Sequence, residues 1–208
     1  MTHGIYALVL DDHRLFADSF SLVLERYKLV DFVKAFDNKE KFLSSLESFG
    51  NGRIYIFLDY YLNGENGFSL LSEIHRLNRH AKIIFVTSTL SPTVINTLSK
   101  FGSDGILSKS CNIEILTRCM DTIKNGEKFI DPILEDILGN VNSLTINFSP
   151  RELELLQLFA KGSTIAQTAE KTFLSPHTVV AHRRKMMAKA NCQSITQLLN
   201  FAKENGLI

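Results

Sequence analysis

Ile54-Tyr55-Ile56-Phe57-Leu58-Asp59 is a run of five apolar residues that ends on an acid. A short apolar run that is bounded by polar residues and followed by a helical pattern is typical of a buried parallel strand. Three more such runs end on polar side chains, namely Leu8-Val9-Leu10 before Asp11-Asp12, Ile83-Ile84-Phe85-Val86 before Thr87, and Gly105-Ile106-Leu107-Ser108 before Lys109. Because chemistry collects at the carboxyl ends of strands in an open α/β sheet, we expect these polar groups to converge.

Strand and helix patterns alternate along residues 1–126. Strand patterns lie at about Tyr6–Leu10, Phe32–Ala35, Ile54–Leu58, Lys82–Thr87 and Gly105–Leu107. Helical patterns follow them at about His13–Tyr27, Lys39–Phe49, Gly67–Leu77, Pro92–Phe101 and Ile113–Lys124. Five such units predict a doubly wound α/β domain with a five-stranded parallel sheet, and the turn pair Asn125-Gly126 ends it.

The polar groups at the four strand ends suit phosphoryl chemistry. Clustered carboxylates raise one another's pKa unless a cation lies among them, and Mg²⁺ prefers such oxygen ligands. With Mg²⁺ and Lys109 neutralising charge, Asp59 is the natural nucleophile for a phosphoryl group, and Thr87 can donate a hydrogen bond to that group. Each acid could instead be a helix N-cap and Lys109 a solvated surface residue. Four polar groups, each directly after its own predicted strand, favour a shared phosphoryl site over these separate roles.

Four motifs carry a family resemblance: Leu10-Asp11-Asp12-His13, Asp59-Tyr60-Tyr61-Leu62-Asn63-Gly64-Glu65-Asn66-Gly67, Val86-Thr87-Ser88 and Leu107-Ser108-Lys109. Through them, residues 1 to about 130 resemble the receiver domain of bacterial response regulators, which is flavodoxin-like. The resemblance implies that a sensor histidine kinase passes a phosphoryl group to Asp59, with Thr87 as the switch hydroxyl and Lys109 as the site lysine. It also implies that Mg²⁺ is bound by Asp11, Asp12, Asp59 and the backbone carbonyl of Tyr61.

The sequence departs from the receiver pattern at three positions. Asn63 and Ser110 stand where many receivers have proline, and Ile106 occupies the position of the usual switch aromatic. An isoleucine has no ring to move into the space that a shifting Thr87 leaves. The sequence therefore puts in question how a change at the phosphorylation site reaches the output face of the domain.

The remaining residues divide into a connection and a helical domain. Lys128-Phe129-Ile130-Asp131-Pro132 is a candidate start for a short helix to about Leu138, and Gly139-Asn140-Val141-Asn142-Ser143 indicates a linker, so residues 127–147 are the connection. Residues 148–208 then hold four helical patterns, one opened by Ser149-Pro150-Arg151-Glu152 and closed by Gly162, followed by Ile165–Thr172, Pro176–Ala190 and Ile195–Glu204. Ser149 fits an N-cap, Pro150 the first helical position and Glu152 the acid of a capping box.

Two short helices with a tight turn between them, the second of them basic, are typical of a helix-turn-helix domain. On the helix predicted at Pro176–Ala190, Val179, Met186 and Ala190 would pack on the core. The opposite face carries no acid, and its small residues allow a close approach to the major groove. A basic helix face is often no more than a solvated surface, but here the turn, the caps and the charge agree.

This half resembles the LuxR-type helix-turn-helix of the NarL/FixJ class, through Ser149-Pro150-Arg151-Glu152, Leu174-Ser175-Pro176-His177-Thr178-Val179 and Ala181-His182-Arg183. By position, the resemblance implies base contacts from Val180, Ala181 and Arg184. Candidate phosphate contacts are His177, Thr178, His182 and Lys185. Thr168 and Thr172 replace the usual Ile and Leu, and their hydroxyls need partners in a small core.

Charge and composition limit the functions and partners that the chain can have. The net charge of +1 hides an asymmetry, since residues from Phe148 onward hold eight Lys or Arg and four acids, against 15 and 18 before it. A basic second half favours a polyanionic partner. The three cysteines are odd in number and form no Cys-x-x-Cys, which indicates a reduced, cytoplasmic protein. No apolar run approaches the roughly 20 residues that span a bilayer.

These observations predict a phosphorylation-controlled transcription regulator that binds double-stranded DNA as a homodimer and is not an enzyme. One alternative keeps DNA binding and makes the first domain a phosphorylation-independent dimerisation module. Another is a phosphatase with Asp59 as nucleophile, although Tyr61 is bulky and no suitable second acid follows within two residues. A pure protein-interaction role would leave the basic helix unexplained.

Overall fold

The computed structural model describes residues 4–49, 52–140 and 146–208. In chain order its strands are β1 Tyr6–Leu10, β2 Phe32–Phe36, β3 Ile54–Asp59, β4 Tyr61–Leu62, β5 Glu65–Asn66, β6 Lys82–Thr87, β7 Gly105–Ser108 and β8 Phe129–Ile130. Six of them form a parallel sheet in the order β2-β1-β3-β6-β7-β8, and β4 pairs with β5 as an antiparallel hairpin. The predicted doubly wound α/β class is confirmed.

The helices lie within one or two residues of the predicted bounds in most cases. Those of the first part are α1 Arg14–Arg26, α2 Lys39–Ser48, α3 Leu71–Leu77, α4 Pro92–Lys100, α5 Ile113–Lys124 and α6 Pro132–Asn140. The second part is all-α, with α7 Pro150–Ala160, α8 Ile165–Thr172, α9 Pro176–Lys189 and α10 Ile195–Glu204. Side-chain caps explain many of the starts, since Asn38, Ser91, Asn112, Ser149, Thr164, Ser175 and Ser194 each accept a hydrogen bond from the first turn of a helix.

The sheet has six strands and not the five predicted. β8 pairs with β7, and the N–H of Asp131 donates to the carbonyl of Ile106 at 2.8 Å. The sequence placed these residues at the start of a helix, which instead begins at Pro132. A strand of two residues is too short to leave a periodic pattern, whereas the outer edge of β7 needs hydrogen-bond partners.

The segment after Asp59 also corrects an expectation. The hairpin of β4 and β5 and a 3-10 turn over Gly67–Leu70 precede α3, although the sequence predicted a helix from Gly67 onward. Asn63 and Gly64 form the hairpin loop with φ of 50° and 79°. An Asn-Gly pair with both φ angles positive is the preferred loop of a two-residue hairpin, so this pair was a local signal for a hairpin that was not predicted.

The structure describes only part of the predicted linker, residues 139 and 140. Gly139 and Asn140 belong to the last turns of α6, so this part of the linker prediction was wrong. Val141, Asn142 and Ser143 lie outside the described residues. Among the described residues, no helix is both long enough and apolar enough to cross a bilayer.

Two clusters of buried apolar side chains cover the two faces of the sheet. One lies beneath α1 and α5 and includes Phe57, Ile84 and Leu116. The other covers the opposite face beneath α2, α3 and α4 and runs on without a break into the helical part, where it includes Leu155 and Leu207. The two parts of the chain therefore share one apolar core on this side of the sheet.

A buried carboxylate anchors α7. Glu152 is 1% exposed and accepts hydrogen bonds from Lys189 Nζ at 2.5 Å and from the backbone N–H of Ser149 at 2.7 Å. Ser149 in turn accepts from the N–H of Glu152, which completes the capping box that the sequence indicated. Burial opposes ionisation, but the hydrogen bonds from Lys189 and Ser149 hold the pKa of Glu152 below its ordinary value.

We expect Glu152→Gln to lower the free energy of unfolding by about 1.5–3 kcal/mol at pH 7, because charged hydrogen bonds are lost and Lys189 loses its partner of opposite charge. The folded-state pKa of Glu152 is lower than the unfolded one, so its stabilisation is complete above the unfolded pKa and is lost as the pH falls through the folded pKa. The difference between the two proteins in urea unfolding should shrink below about pH 4.

Glu154→Gln is the matched control for this prediction. The pair of Glu154 with Arg151 lies at the surface, with side chains 40% and 34% exposed. Its loss should cost at most about 0.5 kcal/mol. An equal loss for both variants would contradict the special role of the buried pair.

Candidate functional site

Side chains from three strand ends meet at one edge of the sheet. Lys109 Nζ lies 2.6 Å from Oδ2 of Asp11 and 2.7 Å from Oδ2 of Asp59. The register that pairs Leu10 of β1 with Leu58 of β3 places the two acids side by side. Both carboxylates are almost completely buried, at 1% and 3% exposed.

This arrangement shifts two pKa values. Burial raises the pKa of Asp59, and the negative charge of Asp11 adds to that effect, while the hydrogen bond from Lys109 opposes it. Burial disfavours the charged form of Lys109, but its hydrogen bonds with Asp11 and Asp59 raise its pKa above the ordinary value. Lys109 therefore stays charged, and ionised Asp59 is less well stabilised than in water, so it gains from any further cation.

Asp12 and His13 extend the acidic cluster. Asp11, Asp12, His13 and Asp59 each offer a ligand atom, and these atoms lie within 4.8 Å of one another. Asp12 Oδ2 accepts a hydrogen bond from the N–H of Asn63 at 2.9 Å. Asp12 Oδ1 is buried and accepts none from the described residues, although His13 Nδ1 lies 3.1 Å away. A buried carboxylate oxygen without a donor suits a divalent cation, so the donor set fits one.

Two residues at the site had no predicted role. His13 belongs to the cluster, and its position directly after the acid pair was the available signal. Phe16 of α1 lies beneath Lys109, with 4.7 Å from Nζ to the ring centroid. The sequence shows Phe16 only as part of an apolar helix face, which cannot distinguish a core residue from one that contacts the site.

Thr87 lies at the end of β6, beside the acids. It is completely buried, and its Oγ1 accepts a hydrogen bond from the N–H of Thr89 at 3.1 Å. Its carbonyl accepts from the N–H of Lys109 at 2.9 Å. The structure thus places all the predicted residues of the first domain at one edge, with the Thr87 hydroxyl engaged by its own loop.

The loop after Asp59 packs tightly on the strand end. The N–H of Tyr61 donates to Asp59 Oδ1 at 3.3 Å, while its hydroxyl donates to the carbonyl of Gly206 at 2.7 Å. A Cβ on Gly67 would lie 2.3 Å from the carbonyl oxygen of Asp59. Glycine is therefore required at position 67 for the loop to approach this closely. The carbonyl of Tyr61 as a metal ligand stays a prediction.

The three departures from the receiver pattern have structural consequences. The N–H of Asn63 binds Asp12, and that of Ser110 donates to Ser108 Oγ at 3.1 Å. Proline has no N–H and cannot adopt the positive φ of Asn63, so it could make neither contact. Ile106 is 1% exposed, in the middle of β7.

The second domain presents the predicted DNA-facing surface on α9. Val179 and Met186 are completely buried, as predicted, whereas His177, Ala181, Arg184 and Lys185 are exposed. Thr178, Val180 and His182 are half-buried. Within the described residues, neither Arg184 nor Lys185 forms a hydrogen bond or an ion pair with another side chain. This face is therefore basic and accessible.

The two unusual threonines of α8 differ in their hydrogen bonding. The hydroxyl of Thr172 donates to the carbonyl of Thr168 at 2.6 Å. The hydroxyl of Thr168 is fully buried and has no partner among the described residues. The expectation that both hydroxyls find partners holds for Thr172, which donates to the carbonyl four residues back, and fails for Thr168.

Two family models match the chain. Residues 7–121 match the response regulator receiver domain, and residues 146–202 match the bacterial regulatory proteins of the luxR family. The chain belongs to the two-component response regulators. Its receiver followed by a LuxR-type helix-turn-helix is the arrangement of the NarL/FixJ class. It is a phosphorylation-controlled transcription regulator that binds DNA.

Relatives align over nearly the full length of the regulator. It is 30% identical to the oxygen regulatory protein NreC of Staphylococcus epidermidis, over 97% of this chain and 98% of the relative. It is 23% identical to the fimbriae Z protein of Salmonella typhimurium, over 97% of each. RcsB of Salmonella enterica serovar Typhimurium, solved on promoter rprA with the phosphomimetic BeF₃⁻, shares the fold with a TM-score of 0.70 at 21% identity, over 94% of this chain and 96% of that one.

At pH 7 without divalent cations, we expect Asp59→Asn to raise the free energy of unfolding of the regulator by about 1 kcal/mol, because a poorly stabilised buried charge is removed. Mg²⁺ should then stabilise the wild type more than the variant, since a cation that binds the folded carboxylates favours the folded state. Urea unfolding followed by circular dichroism measures both effects. Asp121→Asn, at an exposed acid of α5, should change neither. An equal gain from Mg²⁺ in Asp59→Asn and wild type would contradict the prediction.

Proposed function

We propose that a sensor histidine kinase transfers a phosphoryl group to Asp59 of this regulator, and that the modified protein binds double-stranded DNA as a homodimer through α9. The observation that carries the proposal is the meeting of Asp11, Asp59 and Lys109 at one sheet edge, with a basic and accessible α9 in the same chain. As domain limits we propose residues 1–126 and 148–208, joined by 127–147. Because its target is DNA in a bacterial type of regulator, we place the protein in the cytoplasm.

The transfer step follows from the side chains at the site. A carboxylate oxygen of Asp59 forms the new bond to phosphorus as the bond from phosphorus to the kinase histidine nitrogen breaks, and the bonding pair stays on that nitrogen. Lys109 stabilises the charge on the phosphoryl oxygens, and Thr87 turns its hydroxyl from the loop to donate to one of them. Asp11, Asp12, Asp59 and the carbonyl of Tyr61 would hold Mg²⁺, which supplies further charge neutralisation when bound. The step transfers the group to the protein itself and involves no turnover.

DNA recognition would use the exposed face of α9. We assign base contacts to Val180, Ala181 and Arg184, and phosphate contacts to His177, Thr178, His182 and Lys185. In a dimer, two such helices lie about one DNA turn apart, roughly 34–36 Å. The accessible face without acids supports this assignment.

Incubation with acetyl phosphate and Mg²⁺ should add the mass of one phosphoryl group to the intact wild-type regulator. Asp59→Ala should gain none, because the acceptor oxygen is absent. Asp121→Asn should be modified like the wild type. Intact-mass spectrometry checks all three, and modification of Asp59→Ala to the wild-type level would remove Asp59 from its role.

Arg184→Ala should weaken binding to a selected duplex by about 1–3 kcal/mol and relax the preference at one base pair. The reason is that a guanidinium can donate two hydrogen bonds to the edge of a guanine. Fluorescence anisotropy on a set of single-base variants of the duplex measures the change. Lys124→Ala removes an exposed charge from the end of α5 and should leave affinity unchanged. Uniform weakening on all sequences would make Arg184 a phosphate contact.

A further inference from the structure

The residues that follow α10 are hydrogen-bonded to the receiver beside the phosphorylation site. Three consecutive carbonyls, those of residues 205–207, each accept a hydrogen bond from a receiver side chain: Ser91 Oγ at 2.6 Å, Tyr61 OH at 2.7 Å and Asn66 Nδ2 at 2.9 Å. We call residues 205–207 the C-terminal segment. Leu207 is completely buried in the shared core, so the segment is held by apolar packing as well as by hydrogen bonds.

Tyr61 connects the acceptor carboxylate directly to this segment. Its backbone N–H donates to Asp59 Oδ1, and its hydroxyl donates to the carbonyl of Gly206. Gly206 has a φ of 68°, and a Cβ at this position would lie 2.5 Å from the Tyr61 hydroxyl oxygen. The hydrogen bond therefore depends on a tyrosine at one end and a glycine at the other.

A second connection runs through the loop between β6 and α4. Thr87 Oγ1 accepts from the N–H of Thr89 at 3.1 Å, and Thr89 Oγ1 accepts from the N–H of Ser91 at 3.2 Å. Ser91 then donates to the carbonyl of Asn205. If Thr87 Oγ1 moves away from the N–H of Thr89 in order to donate to a phosphoryl group, Thr89 loses this acceptor, and the loop that positions Ser91 loses one of its hydrogen bonds. Both connections start at the phosphorylation site, and they end on the adjacent residues Gly206 and Asn205.

We propose that Tyr61 and the Thr87–Thr89–Ser91 loop couple phosphorylation of Asp59 to release of the C-terminal segment from the receiver, so that Tyr61 performs the relay for which Ile106 has no ring. The proposal rests on the proposed function, since it needs a phosphoryl group on Asp59. Tyr61 is a positioning residue: it acts through its contacts with Asp59 and Gly206. Release frees the DNA-binding domain to reorient within a dimer.

The exposed face of α9 supports release as the regulated step. Arg184 and Lys185 are already accessible while the C-terminal segment is docked. Docking therefore does not act by covering the base-contacting face. It fixes the orientation of that face relative to the receiver, and two helices must adopt a defined spacing to read one site.

The test is hydrogen exchange of the full chain with and without Mg²⁺ and BeF₃⁻, which imitates a phosphoryl group. The amides of Gly206 and Leu207, which donate within the end of α10, report on the docked segment. We expect BeF₃⁻ to speed their exchange in the wild type and not in Asp59→Asn. The amides of β1 and β3 report on global folding and should stay protected.

Tyr61→Phe separates coupling from simple packing. The variant keeps the ring and removes only the hydroxyl, so exchange of the two amides without BeF₃⁻ should rise about 2- to 10-fold, the range for one hydrogen bond. With BeF₃⁻ bound the exchange should match the wild type, because that contact is then already broken. By linkage, the affinity for BeF₃⁻, measured by ¹⁹F NMR, should rise by the same factor. Tyr27→Phe, at a half-exposed tyrosine, should change none of these.

A glycine pair provides an independent variant. Gly206→Ala places a methyl group against the Tyr61 hydroxyl, whereas Gly162 also has a positive φ, of 81°, and a Cβ there would meet no atom within 4 Å. Both variants share the backbone strain. We expect only Gly206→Ala to raise the affinity for BeF₃⁻, and we expect a smaller effect in a Tyr61→Phe background.

The outcomes separate this inference from the proposed function. If BeF₃⁻ protects the loop of residues 59–66 but leaves exchange of Gly206 and Leu207 unchanged, the coupling is overturned and phosphorylation stands. If Tyr61→Phe speeds exchange equally with and without BeF₃⁻, the contact is structural and the coupling is also overturned. If BeF₃⁻ slows the exchange of no amide in the wild type, both the coupling and the acceptor role of Asp59 are overturned.

Discussion

One ammonium group between two buried carboxylates constrains the rest of this structure. Lys109 can lie within 2.7 Å of both Asp11 and Asp59 only if β1, β3 and β7 end at the same level of the sheet. One positive charge does not balance the acids of this cluster, so the burial cost of Asp59 is only partly offset. The site therefore keeps an excess of negative charge, which a divalent cation can neutralise. A covalent modification of the site changes the same balance of charge.

The same edge of the sheet also holds the DNA-binding domain. One face of the sheet shares its apolar core with the helical part, and the polar contacts between the two parts cluster at the loops that follow Asp59 and Thr87. Apolar packing supplies affinity without direction, whereas the hydrogen bonds define one orientation. A change at the site therefore acts on the contacts that determine orientation and leaves the folded domains intact.

Sequence patterns gave the fold class and most elements because the buried strands and the helix caps leave strong local signals. The misses have physical causes. β8 is two residues long and forms because β7 offers an open edge. The hairpin at Asn63-Gly64 was not predicted, although the Asn-Gly pair is its local signal. The contact of Lys109 with Phe16 joins distant parts of the chain, and an apolar face does not reveal which of its residues lies next to a charge.

By itself, the sequence determined that acids, a hydroxyl and a lysine follow separate strands, and that a basic helix follows a capped turn, because strand burial and helix capping are local properties of a chain. Only the tertiary structure decided that Tyr61 reaches Gly206, and that Asn63 supplies an N–H to Asp12. The first contact depends on how two domains with unrelated patterns pack together, and the second depends on how two loops of the receiver meet at the sheet edge. Their partners are 145 and 51 residues apart, so no local pattern in the sequence encodes them.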